Sequence, residues 1–245
     1  MIKNPLGLTR TVVKSNYAII ARDGYIPSTI PGWTDCTPYV NLSAGMGARL
    51  VQMIVDLNRG GRGVGETFGH EIFVYVITGS VTVNKIPLTK GGYSYIPPGT
   101  TYDIAAKGAK GARLLIFQKR YEPLANVEQP AFLTANEEAV PAVDYQGDPH
   151  ARLKTLLPDS LSADIAVNIF TYDPGAALPF VETHIMEHGM LFLAGSGIYR
   201  LADDWYPVTE GDALWIAPYC PQWFVAMGTE PATYIYFKDV NRTPL

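Results

Sequence analysis

The chain is poor in histidine and cysteine: its 245 residues include four histidines and two cysteines. Two distant cysteines, Cys36 and Cys220, exclude a dense disulfide framework and favour a reducing compartment. A basic surplus is also lacking, since the formal net charge is −4, which argues against a nucleic-acid partner. No apolar run approaches the roughly 18 residues of a membrane span, and the first twenty residues lack the apolar core of a secretion signal. We therefore expect a cytoplasmic protein with no nucleic-acid or membrane partner.

Long stretches of helical periodicity are absent as well. Short β-rich runs recur instead, separated by Gly, Pro or Asn, as in "EIFVYVITGS", "MLFLAGSG" and "DALWIAP". This punctuation predicts an all-β sandwich or barrel. Helix is expected only in short pieces, such as around residues 134–140 and 151–158.

The two halves of the chain repeat one pattern. Glycine, proline and lysine recur 116 to 120 residues apart, in the pairs Gly79/Gly195, Gly91/Gly211, Pro98/Pro218 and Lys119/Lys238. A duplicated β-barrel domain accounts for this spacing. We predict an N-terminal domain at residues 1–121, a linker rich in Pro, Ala and acidic residues at 122–150, and a C-terminal domain at 151–245.

One stretch, "FVETHIMEHGMLFLAGSG" at residues 180–197, holds half of the histidines. The repeat provides a control, because residues required only for folding should occur in both halves. At the repeat spacing, the counterparts of Glu182, His184, His188 and Gln222 are Glu66, Phe68, Ile72 and Tyr102. The glycines and prolines persist while the two imidazoles do not, which favours a chemical role for the histidines.

The spacing of these residues predicts a metal site. Side chains two apart on a strand share one face, so Glu182 and His184 would point the same way. A turn would bring His188 back beside them, and Gln222, from a later strand and turn, would add an amide oxygen. Two imidazoles, a carboxylate and an amide oxygen suit a divalent ion such as manganese or iron with positions left open. A structural zinc site would more often include cysteine.

The same residues carry a resemblance to the cupin superfamily. The segments "GAALPFVETHIMEHGMLFLAG" and "GDALWIAPYCPQ" are similar to its two motifs. Glu182 replaces the first histidine, His188 replaces the glutamate, and Gln222 replaces the histidine of the second motif. The resemblance implies a bicupin, with two tandem double-stranded β-helix (jelly-roll) barrels. The reordered ligand set, together with "GIYRLADDWYPV" and "YIYFKDVNR", resembles the (S)-ureidoglycine aminohydrolase family.

This resemblance implies a manganese (Mn2+) enzyme of purine (allantoin) catabolism that converts (S)-ureidoglycine and water to (S)-ureidoglycolate and ammonia. It implies Glu182, His184, His188 and Gln222 as metal ligands. It also implies catalytic, substrate-binding roles for Tyr199, Tyr234 and Lys238 on a small ureide. Lys238 would pair with the substrate carboxylate, and the tyrosines would hydrogen-bond the ureido group. Because bicupins often assemble, a homo-oligomer is expected.

Two other functions stay open at this point. Two histidines and a carboxylate also suit iron and oxygen chemistry, so another metal-dependent bicupin such as a dioxygenase is one alternative. A non-catalytic cupin binding module is the other, since the first half indicates that the fold survives without the metal residues.

Other residues of types that often serve in functional sites have weaker support from their sequence context. His70, beside Glu71 and near Glu66, is a candidate for a degenerate second metal site. His150 is expected in the linker and Cys220 in packing. The glycine-rich residues 61–66 lack the following helix that a phosphate loop requires.

Overall fold

The structure is a computed structural model that describes residues 7–242. Within that range the chain forms eighteen strands and three short 3₁₀ helices. None of the helices in the described residues is long and apolar enough to cross a membrane. The predicted all-β class is confirmed, and the Gly- and Pro-punctuated runs form the strands.

The first nine strands are β1 Val12–Val13, β2 Tyr17–Ile20, β3 Trp33–Leu42, β4 Leu50–Glu66, β5 His70–Val83, β6 Ile86–Thr89, β7 Gly92–Ile96, β8 Thr101–Arg120 and β9 Leu133–Asn136. The next nine are β10 Val143–Tyr145, β11 Asp148–Thr155, β12 Ile165–Tyr172, β13 His188–Ala194, β14 Ser196–Leu201, β15 Asp204–Thr209, β16 Ala213–Ile216, β17 Gln222–Met227 and β18 Ala232–Asp239. The 3₁₀ helices are Arg22–Gly24, Ala44–Met46 and Glu137–Ala139.

The described residues divide into two compact units. The first-repeat unit comprises residues 26–141, 155–166 and 239–242, and the second-repeat unit comprises residues 7–25, 142–154 and 167–238. These divisions differ from the predicted boundaries: residues 7–25 join the second repeat, and residues 122–141 join the first.

The first-repeat unit contains a seven-stranded sheet ordered β3-β4-β8-β5-β7-β9, with β6 paired to β5. Its long strands bend, and the pairing of β4 with β8 shifts register between Leu57 and Arg62. The second-repeat unit contains an eight-stranded sheet ordered β1-β2-β16-β13-β18-β12-β11-β10 and a three-stranded sheet ordered β15-β14-β17. Two facing sheets of antiparallel strands are the jelly-roll arrangement of a cupin barrel.

Both repeats use a glycine at the same bend. Gly79 in β5 has φ +81° and Gly195, between β13 and β14, has φ +72°. A Cβ atom at Gly79 would lie 2.2 Å from the carbonyl oxygen of Gly111, and one at Gly195 would lie 2.4 Å from that of Pro231. The left-handed backbone and the close carbonyl both require glycine, which explains why this pair persists in the repeat.

The interiors of the two units differ in chemistry. The buried cluster of the first-repeat unit contains only aliphatic residues and alanine, with Met53 as the one thioether. The second-repeat cluster contains many aromatic side chains, among them Phe170, Tyr172, Tyr199 and Tyr234. Phenol rings combine apolar packing with a hydroxyl that hydrogen-bonds, so the second-repeat cluster has polar atoms to offer a ligand, whereas the first-repeat cluster has none.

Neither of the two predicted helical pieces becomes an α-helix. Residues 134–140 form the end of β9 and the single 3₁₀ turn Glu137–Ala139, capped by the Asn136 side chain. Residues 151–155 lie in β11. Tertiary pairing of β11 with β10 and β12 overrides the local helical preference there.

Candidate metal centre

A cavity of about 140 Å³ lies in the second-repeat unit. It contains all seven residues singled out from the sequence: Glu182, His184, His188, Tyr199, Gln222, Tyr234 and Lys238. The rest of its wall comes from Tyr145, Leu153, Phe170, Met186, Met190 and Tyr236. The common location is a finding of the geometry, whereas the chemical roles of these residues stay predictions.

Backbone pairing places the potential ligands. Glu182 and Gln222 form an isolated antiparallel bridge, in which each backbone N–H donates to the other residue's carbonyl at 2.8 and 2.9 Å. The carbonyl of His184 accepts from the backbone N–H of Tyr219 at 2.7 Å. His188 is the first residue of β13. The expected strand around Glu182 and His184 is therefore only this bridge within a loop.

The two imidazoles meet through their Nε2 atoms, which lie 3.2 Å apart. On the opposite edge of each ring, Nδ1 contacts a backbone carbonyl: Met186 for His184 at 3.1 Å and Phe237 for His188 at 3.0 Å. A carbonyl only accepts, so both Nδ1 atoms carry the hydrogen when the rings are neutral. Both Nε2 lone pairs then face the same point, as metal-binding histidines require.

His188 is fully inside the protein and stays uncharged. Its pKa is lowered to about 3, chiefly because burial penalises the imidazolium and further because His184 is adjacent. A metal ligand must be neutral imidazole, so this environment removes the competition from protons at neutral pH.

Gln222 is buried, and both polar atoms of its side-chain amide have a hydrogen-bonding partner. Its Oε1 accepts a hydrogen bond from the Tyr199 hydroxyl at 2.9 Å, and its Nε2 lies 3.1 Å from Nε2 of His184. A half-turn of the amide exchanges these atoms. The oxygen would then face the histidines, and the NH₂ group would donate to Tyr199.

Glu182 stands slightly apart from the other donors. Its Oε2 lies 3.9 Å from Nε2 of His184, and its Oε1 accepts a hydrogen bond from the Tyr145 hydroxyl at 2.7 Å. Across residues 7–242, no three His, Cys, Asp or Glu side chains by themselves form a complete set of ligands. The arrangement fits a cation when the Gln222 amide oxygen joins the two imidazoles and the Glu182 carboxylate.

The tyrosines predicted to touch substrate are almost fully buried. Tyr199 is 0% and Tyr234 is 2% exposed. The Tyr199 hydroxyl is bonded to Gln222, and the hydroxyls of Tyr172 and Tyr234 lie 3.2 Å apart. Burial raises the pKa of both Tyr199 and Tyr234 well above its ordinary value, so both are neutral phenols.

Lys238 differs sharply from Lys119, the lysine that the repeat spacing aligns with it. The Lys238 side chain lines the cavity, and its ammonium group has no hydrogen-bond or ion-pair partner among the described residues. Lys119 is 6% exposed, and its Nζ donates to the buried Asp164 carboxylate at 2.7 Å. The first-repeat lysine neutralises a buried charge, while the second leaves its ammonium group available to a ligand.

The first-repeat counterparts of the ligands show no comparable donor set. Phe68 is 69% exposed, and Ile72 is 6% exposed and belongs to the aliphatic core. His70 is exposed. Glu71 is turned into a different environment, where it accepts a hydrogen bond from Tyr95 at 2.7 Å. The weak candidate for a second metal site therefore lacks convergent side chains.

The remaining residues singled out from the sequence are not part of the cavity wall. Cys220 is 4% exposed and burial raises its thiol pKa, which fits packing and opposes a thiolate nucleophile. His150, expected in the linker, lies in β11 and pairs with Asp173 at 3.0 Å on the surface. Residues 61–66 continue β4, with no helix after them.

The sequence prediction missed Tyr145 and Tyr236, which both line the cavity. Tyr145 falls in the segment predicted as linker, where the repeat offers no counterpart. Tyr236 alternates with Tyr234 and Lys238 along β18, so all three share one face of that strand. This period-two pattern was the signal that could have identified Tyr236.

Two barrels with a histidine-containing cavity in one of them define a cupin-class protein. The family model described as "Cupin domain" matches residues 168–238, which include all seven of the predicted site residues. The chain is 33% identical over 242 residues to the (S)-ureidoglycine aminohydrolase of Escherichia coli (strain K12), covering 95% of this chain and 92% of the relative. It is 32% identical over 244 residues to that of Arabidopsis thaliana, covering 98% and 80%. The chain belongs to the (S)-ureidoglycine aminohydrolase family, as its sequence resemblance indicated.

Solved structures agree on the architecture. The structure of the protein Ylba from E. coli matches with a TM-score of 0.88 at 29% identity, over the whole of both chains. A structure of Bacillus subtilis oxalate decarboxylase, an enzyme with Mn(II) centres, matches with a TM-score of 0.70 at 13% identity, over 92% of this chain and 78% of that one. At that identity the second match shows the fold alone. The bicupin prediction is confirmed.

Proposed function

We propose that this protein is a manganese-dependent hydrolase that converts (S)-ureidoglycine and water to (S)-ureidoglycolate and ammonia in purine catabolism. Membership of the aminohydrolase family supports the reaction. The observation that carries the proposal is the pair of Nε2 atoms of His184 and His188, 3.2 Å apart with their Nδ1 atoms bonded to carbonyls. Two lone pairs directed at one point repel each other unless a cation or a proton lies between them.

The chemistry of the donors favours manganese over softer ions. The set comprises the two imidazoles, the Glu182 carboxylate and the Gln222 amide, and includes no thiolate. Mixed nitrogen and oxygen donors suit ions of intermediate hardness. When bound, such an ion supplies a Lewis acid at one end of the cavity.

Lys238 is proposed to bind the substrate carboxylate. Its ammonium group reaches the cavity without a competing partner among the described residues, so a substrate anion provides the missing counter-charge. A charge contact at one end and the metal site at the other would hold one enantiomer in a fixed orientation.

Tyr199 and Tyr234 are proposed to form the wall against the ureido group. Each has a neutral hydroxyl at the cavity, and each is held by another polar side chain, Gln222 or Tyr172. A phenol oxygen has two acceptor lone pairs and one hydrogen, so each tyrosine retains hydrogen-bonding capacity for the ureido N–H or C=O groups. Their burial also limits the water that reaches the cavity.

The reaction exchanges one bond on the central carbon of the substrate. The bond to the amino nitrogen breaks, a bond to the oxygen of water forms, and the nitrogen leaves as ammonia after gaining a proton. No oxidant is consumed. A dioxygenase, in contrast, consumes molecular oxygen, so a dependence on oxygen distinguishes the two functions.

The direct test is a coupled ammonia-release assay on freshly generated ureidoglycine, with added manganese and with a chelator. We expect turnover that the chelator abolishes, that manganese restores, and that strictly anaerobic buffer leaves unchanged. A requirement for oxygen would favour the dioxygenase alternative. Absence of turnover on ureides, with full stability after metal removal, would favour a binding module.

Elemental analysis tests the site itself. We expect about one divalent ion per chain and its loss in His184→Ala, because an imidazole is a principal ligand. His150→Ala is the matched control, since this exposed histidine lies on the surface of the same unit and should leave the metal content intact. Two ions per chain, or an ion retained by His184→Ala, would contradict the assignment.

A further inference from the structure

Tyr145 contacts the metal centre from outside the repeated motifs. It is the last residue of β10, and its hydroxyl donates a hydrogen bond to Oε1 of Glu182 at 2.7 Å. A two-residue hairpin follows, with φ +53° at Gln146 and φ +82° at Gly147, and returns the chain into β11 at Asp148. Positive φ at both central positions matches the twist of a tight β-hairpin. The turn therefore ends β10 with Tyr145 on the cavity side.

Aromatic packing sets the direction of the Tyr145 ring. The rings of Tyr145 and Phe170 pack edge to face, with centroids 4.8 Å apart and an interplanar angle of 85°. Phe170 is in turn stacked on Tyr172 and on Tyr236. A ring packed edge-to-face in this way has little rotational freedom, so the position of its hydroxyl is determined before any ligand binds.

Glu182 is consequently held at two places. Its backbone is tied to Gln222 by the bridge, and one of its carboxylate oxygens is engaged by Tyr145. The other oxygen, Oε2, is the one near Nε2 of His184, at 3.9 Å. A carboxylate without the Tyr145 contact would rotate about its last side-chain bond and present either oxygen.

We propose that Tyr145 is a positioning residue of the metal site, which holds Glu182 so that Oε2 faces the histidines. This inference rests on the proposed function, because it assigns Glu182 to a metal. Outer partners that orient ligands typically change metal affinity ten- to a hundredfold when they are removed. The residue comes from the segment between the repeats, so the single metal centre depends on a strand that the duplication does not supply.

The test is a titration of metal-free protein with Mn2+ alone, followed through the spectroscopic signal of the free ion. Tyr145→Phe keeps the ring on Phe170 and removes only the hydroxyl. We expect its Kd for Mn2+ to rise about tenfold. Tyr236→Phe is the matched control: it lines the same cavity, but its hydroxyl accepts from Asn168 at 3.1 Å. Its Kd for Mn2+ should stay close to that of the parent protein.

A double-mutant cycle with Glu182→Gln identifies the route of the effect. If Tyr145 acts through Glu182, its removal should cause no further loss of affinity once the carboxylate is gone. An equal loss in both backgrounds would overturn the inference. So would a fall in the melting temperature of the metal-free Tyr145→Phe protein with an unchanged Kd, since that indicates a structural role.

The two proposals fail in different ways. Normal Mn2+ binding by the parent protein with unchanged affinity in Tyr145→Phe overturns the positioning role alone. Absence of Mn2+ binding in the parent protein overturns the manganese site, and the positioning role with it.

Discussion

Lys238 lies directly opposite His188 in the antiparallel register of β18 and β13, and both side chains line the same cavity. The positive charge of Lys238 contributes to the lowered pKa of His188, after burial and the neighbouring His184. A cation beside a neutral imidazole leaves this part of the cavity short of negative charge. A substrate carboxylate would supply that charge.

Replacing Lys238 with Met should therefore lower kcat/KM by about ten- to a hundredfold, which corresponds to ~1.5–3 kcal/mol for one charged hydrogen bond. Metal content should stay unchanged, because Lys238 is not among the four proposed ligands. Ammonia-release kinetics and elemental analysis measure the two effects. Lys14→Met is the control for a general loss of charge, since Lys14 is exposed in the same unit. Unchanged kinetics in Lys238→Met would place this ammonium group outside the substrate site.

Lys119→Met should damage stability and leave the chemistry intact. Its ammonium group pairs with the fully buried Asp164 carboxylate, and removing one partner of a buried ion pair typically costs about 3–5 kcal/mol. We expect a lower melting temperature and a normal kcat/KM per folded molecule. The double variant Lys119→Met/Asp164→Asn should regain part of the stability, because no buried charge is left unpaired. Equal stability of the single and double variants would show that the unpaired Asp164 charge does not cause the loss of stability in Lys119→Met.

The stability of the first-repeat unit should fall as the pH rises. Burial, and next a hydrogen bond to Asp164, raise the pKa of Glu71 from the ordinary 4.5 to about 9. The protonated carboxyl can donate to Asp164, which accounts for two buried oxygens, Glu71 Oε1 and Asp164 Oδ1, that have no other donor. The folded chain keeps this proton between the two pKa values while the unfolded chain releases it, so stability is lost across that interval.

Glu71→Gln tests this pH dependence, because glutamine keeps the shape of the protonated carboxyl without its titration. Its melting temperature should fall less than that of the parent protein between about pH 5 and pH 9. Glu138→Gln removes an exposed carboxylate from the same unit and should follow the parent curve. Parallel curves for the parent and Glu71→Gln would contradict the raised pKa.

The first-repeat counterparts of the two histidines should respond unequally to truncation. Ile72 is buried in the aliphatic core, so Ile72→Ala should lower the unfolding free energy by ~2–4 kcal/mol. Phe68 is exposed at φ +49°, so Phe68→Ala should change it by less than about 0.5 kcal/mol. Chemical denaturation measures both values, and metal content should stay at one ion per chain. Loss of metal from either folded variant would undermine the use of the repeat as a control.

Much of the fold was predictable because its signals are local. Gly79 and Gly195 mark a bend that needs left-handed backbone, and the alternation of Tyr234, Tyr236 and Lys238 marks one face of a strand. The residues of the candidate site were also predictable from short sequence spacings. Three of its residues lie within seven positions of one another, and the repeat exposes them as a difference between otherwise similar halves.

The different environments of Lys119 and Lys238 were not predictable from the sequence. Lys119 and Lys238 align at the repeat spacing, but the strand register separates them: Lys238 lies opposite His188 and Lys119 opposite Glu71, while the residue opposite Ile72 is Gln118. Lys119 therefore occupies the other face of its strand, where it meets the Asp164 carboxylate. Its partner, Asp164, lies in residues 155–166, which return to the first-repeat unit after the chain has already entered the second. A contact between residues 45 positions apart leaves no trace in local periodicity.

The sequence by itself determined the all-β class, the duplication and the composition of the candidate metal centre, since turn chemistry, strand alternation and the choice of donor atoms are properties of individual residues and short spacings. Only the tertiary structure decided that β1 and β2 extend the sheet of the second repeat and that β10 brings Tyr145 to Glu182. The physical reason is that an unpaired strand edge accepts any strand whose backbone reaches it, because backbone hydrogen bonds carry no side-chain identity. Which edge a short strand joins therefore depends on the packing of the whole unit.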